Sequence, residues 1–128
     1  MELIAKEIAD KIPKLYETEN TDPIVYVKLF TPDANWSWFI SELSIDKDIC
    51  FGLVISPFVK DGEMGYFSLN ELKTVRGKFG LPIERDLWFK PTKLSDIKRM
   101  YCKNWNYLNL DRFKKLFNLH IKNFWNLC

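Results

Sequence analysis

Seven consecutive residues constrain this chain more than any others. Ile49-Cys-Phe-Gly-Leu-Val-Ile55 carries no charged side chain. Alternate residues of a strand point to opposite faces, so a strand this apolar needs cover on both of them. The run therefore predicts a central strand in a sheet packed on both faces.

Its neighbours follow from the flanking sequence. Val25–Phe30 is rich in β-branched and aromatic residues and reads as a strand. Thr31-Pro-Asp-Ala-Asn35 is a turn by composition. Trp36–Leu43 reads as a second strand, which makes a hairpin. After the central run, Asp61-Gly62 signals another hairpin, and Met64–Phe67 returns as a fourth strand. Ser68-Leu-Asn-Glu71 has capping-box spacing, so a short helix starts there and runs to about Val75. Gly77 and Gly80 punctuate its end, and Ile83–Phe89 is a last strand closed by Pro91.

Helical spacing frames this core. Leu3, Ile4, Ile8 and Ile12 predict an amphipathic helix over Glu2–Ile12, stopped by Pro13. Glu17–Pro23 is a polar loop. Leu94–Tyr101 is a third helix. Residues 109–127 are a fourth, with Asn109 as N-cap and Leu110, Phe113, Phe117, Ile121 and Phe124 as an apolar stripe. The expected fold is α+β. It is an antiparallel sheet of four to five strands with an N-terminal helix, a short inserted helix and a helical C-terminal segment. A length of 128 residues suits one domain.

Several function classes lose support. Three cysteines without a CxxC pair argue against a disulfide framework, and a single histidine, His120, argues against zinc. No metal and no cofactor is expected. The N-terminus MELIAKEIADKIPK carries charge throughout and is not a signal peptide, and no stretch is long enough to span a bilayer. A cytoplasmic protein without a membrane partner is the expectation.

Charge is unevenly spread. Residues 1–86 hold 10 Lys/Arg against 15 Asp/Glu, and residues 87–128 hold 9 against 2. Halves of opposite sign suggest a basic patch with its own partner, or complementarity within the fold.

The strings FTPDANWSW, FGLV, GYFSLNEL and VRGKFGLPIERDLWFKPT occur in that order. Together they resemble a bacterial family of plasmids, phages and other mobile elements, domain of unknown function 2958. The resemblance covers roughly Leu3 to Leu94. It implies a small cytoplasmic α+β domain with no settled catalytic activity, set where a protein helps an invading element survive or move. On that resemblance residues 1–95 are a family-like core. Residues 96–128 are a basic helical extension, a place for specialisation.

Four constellations bear on chemistry. Arg76, Glu84, Arg85 and Asp86 form a charged cluster. On a strand, Glu84 and Asp86 would share a face and could do acid–base work or hold a metal. The alternative is an ion-pair network locking the Gly-rich loop to the sheet, which is the favoured reading. Asp33, Asn35 and Glu42, with Glu63, could make an oxygen site for Mg²⁺, though turn chemistry and a solvated strand end explain them better. Among nucleophiles, Cys50 reads as a buried small hydrophobe, Ser68 as a helix cap and His120 as a packed or surface residue. Gly77-Lys-Phe-Gly80 lacks phosphate-loop spacing.

The fourth is the tail. Lys98, Arg99, Lys103, Arg112, Lys114, Lys115 and Lys122 are interleaved with Trp105 and Trp125. Basic groups neutralise phosphates and rings stack on unpaired bases. The same pattern suits an acidic groove on a protein, or an amphipathic helix with its rings buried.

Three functions compete. The first is a non-enzymatic phage or mobile-element protein that counters host nucleic-acid defence. It would be an anti-CRISPR or anti-restriction inhibitor, with a host defence nuclease, its guide RNA, or single-stranded nucleic acid as partner. The second is a Mg²⁺-dependent enzyme acting on nucleic acid or nucleotides. The third is a protein–protein adaptor in plasmid replication or transfer.

Overall fold

The computed structural model describes residues 2–102. The helix expected over 109–127, and every tail position from Lys103 onward, lies outside the described residues. So do His120 and Cys128.

The central strand is where the apolar run requires it. A five-stranded antiparallel sheet has the order β5–β4–β3–β2–β6. Its strands are β2 (Val27–Phe30), β3 (Ser37–Leu43), β4 (Ile49–Ile55), β5 (Glu63–Ser68) and β6 (Glu84–Arg85). A two-stranded sheet pairs β1 (Ile24–Val25) with β7 (Thr92–Lys93). Among the described residues there are three helices: α1 (Lys6–Ala9), α2 (Leu69–Leu72) and α3 (Leu94–Tyr101).

Both faces of the sheet are covered, as β4 demands. On one face Trp38, Ile40, Cys50, Val54 and Phe67 pack with Leu3 and Ile12 from the N-terminal segment, with Leu69 and Leu72 of α2, and with Ile83. On the other, Phe39, Leu53 and Met64 pack with Val25 of β1, Leu94 and Ile97 of α3, and Cys102. Cys50 is fully buried, and burial pushes its thiol well above the ordinary range, so it stays protonated. The Cys102 thiol is pushed up to about 11, chiefly by burial.

The elements differ from the sequence expectation mainly at their ends. α1 is four residues long, has no side-chain cap at Ala5, and lies between Leu3 and Ile12, which both turn into the core. The expected strand Val25–Phe30 divides at Tyr26. Its first part pairs with β7 and its second with β3. Ile83–Phe89 pairs only over two residues, because Asp86 turns the chain by accepting from the Trp88 amide at 2.9 Å. Ser68 caps α2 as its spacing predicts, accepting from the Glu71 amide at 3.2 Å. No helix among the described residues is long and apolar enough to cross a membrane.

α3 is capped from a distance. The Ser95 amide donates to Asp22 Oδ1 at 3.0 Å and the Ser95 hydroxyl to Oδ2 at 2.6 Å. Burial works to raise the Asp22 carboxyl. The Ser95 hydroxyl and amide, with Lys93 and Lys98, outweigh it and hold the group below its ordinary value. Because the folded value is depressed, the stability from Asp22 is complete above about pH 4, the unfolded value. It is lost as pH falls through the folded value. Asp22→Asn is expected to flatten this part of the acid limb in urea midpoints measured against pH. An acid limb unchanged by the substitution would refute the cap.

Candidate functional site

The carboxylates singled out in the sequence do not converge. Asp33 sits in the turn after β2 and Glu42 near the far end of β3, so the two are at opposite ends of one strand. Each is occupied by loop backbone.

Asp33 holds the glycine-rich loop. Its Oδ2 accepts from the Phe79 amide at 2.6 Å and from the Leu81 amide at 3.3 Å. Gly77 lies against the same carboxylate, and a Cβ there would stand 1.5 Å from Asp33 Oδ1. Only glycine allows that approach. The loop therefore binds a carboxylate of its own chain with its amides, rather than a phosphate.

Glu42 holds the loop after Pro13. Its Oε1 accepts from the Tyr16 amide at 2.9 Å, and its Oε2 accepts from the Thr18 amide at 3.0 Å and from the Thr18 hydroxyl. Glu42 is 3% exposed. A β-bulge places it there. Ile40 pairs with Gly52 and Glu42 with Phe51, leaving Ser41 as the extra residue. Tyr66, beside Phe51 and Tyr16, has its phenol pushed well above the ordinary range. Burial is the main cause, followed by Tyr16 and then the charge of Glu42. Both oxygens of this carboxylate are engaged by donors of its own chain, which leaves little of it for a metal ion.

The charged cluster also separates. Among the described residues, no ion pair joins Arg76 or Arg85 to Glu84 or Asp86. Arg76 Nη1 donates to the carbonyls of Lys73 and Val75, both at 2.9 Å. Arg85 Nη1 reaches the Glu2 carbonyl at 3.2 Å. Asp86 pairs instead with Lys28 at 3.7 Å. The Lys28 ammonium also lies over the rings of Phe39 and Tyr101, at 5.8 and 5.3 Å. The loop is locked to the sheet, but by Asp33 and backbone amides rather than by the expected arginine pairs. Among the described residues no group of three or more His, Cys, Asp or Glu is placed to hold a metal ion.

Of the basic tail, Lys98 and Arg99 fall on α3, and Arg99 pairs with Asp96 at 3.0 Å. Lys103, Trp105, Arg112, Lys114, Lys115, Lys122 and Trp125 lie outside the described residues.

What sequence reasoning missed is a set of exposed apolar side chains. Phe79, Leu81, Leu87 and Trp88 are 79%, 45%, 66% and 92% exposed. The chain from 79 to 88 runs beside β2 through β6, which closes one edge of the sheet. Phe79 and Leu81 precede β6 and Leu87 and Trp88 follow it, so the four stand as two pairs at the ends of that edge strand. Both rings are fixed at their backbone: the Phe79 amide binds Asp33 and the Trp88 amide binds Asp86. Lys78 and Lys90 flank them and are exposed. Phe79 stands between Lys78 and Gly80 in a glycine-rich loop, whereas Leu87 and Trp88 fall inside the apolar stretch that the sequence presents as a strand.

A cleft of about 270 Å³ opens between the turn after β2 and residues 75–78. A second, of about 530 Å³, lies at the N-terminal segment and is edged by Lys6, Lys47 and Lys73. Lys47 is paired there with Asp10 at 3.2 Å.

No curated protein and no solved structure matches this chain. The family model described as "Protein of unknown function (DUF2958)" matches residues 2–101, from the N-terminal segment through the end of α3. It spans every strand described above and both exposed rings, and the chain belongs to that family.

Proposed function

We propose that this protein is a binding protein without a catalytic step of its own. It serves a phage or other mobile element by engaging a host defence nuclease, or that nuclease's guide RNA, and blocking it. One observation carries the reading: the exposed apolar pairs Phe79 with Leu81 and Leu87 with Trp88, at the two ends of the β6 edge.

Large apolar side chains exposed together at the surface mark interaction sites. Aromatic residues anchor such interfaces. Rings whose backbone is already held lose less freedom on binding, so more of their contact energy appears as affinity. The exposed Lys78 and Lys90 beside them suit a partner that carries phosphate or acidic groups. The partner class comes from the mobile-element setting that the family resemblance implies. Asp33 Oδ2 and both Glu42 oxygens are engaged by loops of their own chain, which favours binding over acid–base chemistry.

Phe79→Ala with Trp88→Ala tests this. Neither ring is buried, so the double variant is expected to keep the wild-type urea midpoint. Each ring removed is expected to weaken capture of the nuclease or its guide by about tenfold or more. Phage survival in a host carrying the defence system should fall with it. Full protection by the folded double variant would overturn the reading.

A further inference from the structure

Two buried side-chain atoms of the described residues lack a hydrogen-bond partner: the Trp38 indole Nε1 and the Asp33 carboxylate Oδ1. Such atoms are rare in native proteins, and each asks for a reason. Trp38 lines one cleft, and Asp33 lies behind a lining residue of it, Gly77. Trp38, 1% exposed, lines the 270 Å³ space together with Trp36, Thr31 and residues 75–78. Asp33 belongs to the same turn as Thr31, and its Oδ1 lies against Gly77, another lining residue.

The cleft has three further properties. Trp36 stacks on Trp38, with ring centroids 5.7 Å apart and planes at 21°, which presents a flat aromatic wall. Arg76 and Lys78 stand at its rim, both exposed and, among the described residues, without a carboxylate partner. Its volume, about 270 Å³, falls just below the usual range of ligand clefts, which starts at about 300 Å³, so it suits one small planar group and not two.

An unmet donor and an unmet acceptor call for a ligand with an acceptor and a donor on one edge. The aromatic wall calls for a flat ring, and the cationic rim for an anion. Inorganic phosphate supplies only the last. A nucleobase carrying phosphate supplies all of them. We propose that this cleft binds a single 5′-phosphorylated nucleoside. The base lies against the tryptophan pair, its polar edge meets the Trp38 N–H and Asp33 Oδ1, and its phosphate rests on Arg76 and Lys78. Both unmet atoms are closed to water in this state, so entry displaces the strip 75–78 from the turn. The ligand is a free mononucleotide or the terminal unit of an unpaired strand. The inference deepens the binding reading above, from which it takes only the partner class.

The test follows the Trp38 indole N–H in the ¹H–¹⁵N spectrum of the full chain. The signal is assigned through bonds and checked by its loss in Trp38→Phe. Adenosine and uridine 5′-monophosphate, the nucleosides and inorganic phosphate are titrated separately. At least one monophosphate should shift the Trp38 signal saturably, while phosphate alone leaves it unmoved. Arg76→Gln with Lys78→Gln should keep the native spectrum and weaken binding by about tenfold or more. Tighter binding of a 5′-phosphorylated oligonucleotide assigns the strand end, and equal or weaker binding assigns the free nucleotide. A signal unmoved by every nucleotide at millimolar concentration overturns the proposal, as does binding unchanged in the folded Arg76/Lys78 variant. Partner capture is read separately through Phe79 and Trp88. A silent cleft with intact capture sinks this inference alone.

Discussion

Gly52→Ala is expected to remove a large part of the stability of this fold. Gly52 lies at the middle of β4, opposite Ile40 of β3. An added Cβ would stand 1.8 Å from the Phe39 carbonyl oxygen and 2.8 Å from its carbon. Both atoms are backbone, so no side-chain rotation relieves the clash. The two strands would have to separate where they are most tightly committed, between Phe39 and Leu53, which are both fully buried. The cost is expected near the top of the single-substitution range, about 4–5 kcal/mol. A domain of this kind has about 5–15 kcal/mol in all. Urea unfolding followed by tryptophan fluorescence checks the prediction. A soluble Gly52→Ala protein with a midpoint near wild type would show that β3 and β4 do not approach this closely.

Gly52 also shows how far the sequence could be read. The run from Ile49 to Ile55 announced a doubly covered strand through composition alone, and its place between β3 and β5 follows from neighbouring hairpins. Ser68 and Glu71 announced a cap because the motif is local. What failed depends on residues far apart in sequence. Asp22 reaches Ser95, 73 positions away, and Asp33 reaches Phe79, 46 away. A single sequence shows carboxylates at these positions but not which amides they meet. Asp33 and Glu42 were legible as unusual residues but not as holders of loops, because the amides they accept from lie far away in sequence. The exposure of the rings at Phe79 and Trp88 was not legible, because apolar residues in a loop carry no periodicity that says which way they face.

The bulge at Ser41 is the deepest of these hidden features, and Glu42→Ala measures what it does. In a regular ladder, with Ser41 paired to Phe51, Glu42 would lie opposite Cys50 and face the apolar core, where an ionised carboxylate is very costly. The bulge turns it to the side of Phe51, and there it finds three donors from Tyr16 and Thr18. Tyr16 has φ of 72°, a left-handed conformation uncommon for a tyrosine. It persists because its amide is bound. Hydrogen bonds to a charged acceptor contribute about 1.5–3 kcal/mol each. A released loop regains water at its amides, so the net loss on Glu42→Ala is expected at about 3 kcal/mol rather than the full sum. Glu42→Gln keeps the shape and part of the accepting capacity, and should lose about half as much. Amide hydrogen exchange at Tyr16 and Thr18 should accelerate in both variants. The Ser95 amide should follow, because the same loop carries Asp22. Tyr66 supplies an independent readout. Glu42 is one of the charges that keep its phenol protonated, after burial and Tyr16, so the phenol should ionise at lower pH once the carboxylate is neutral. Unchanged exchange at Tyr16 and Thr18 with an unchanged Tyr66 titration would mean that the loop is held by something other than Glu42.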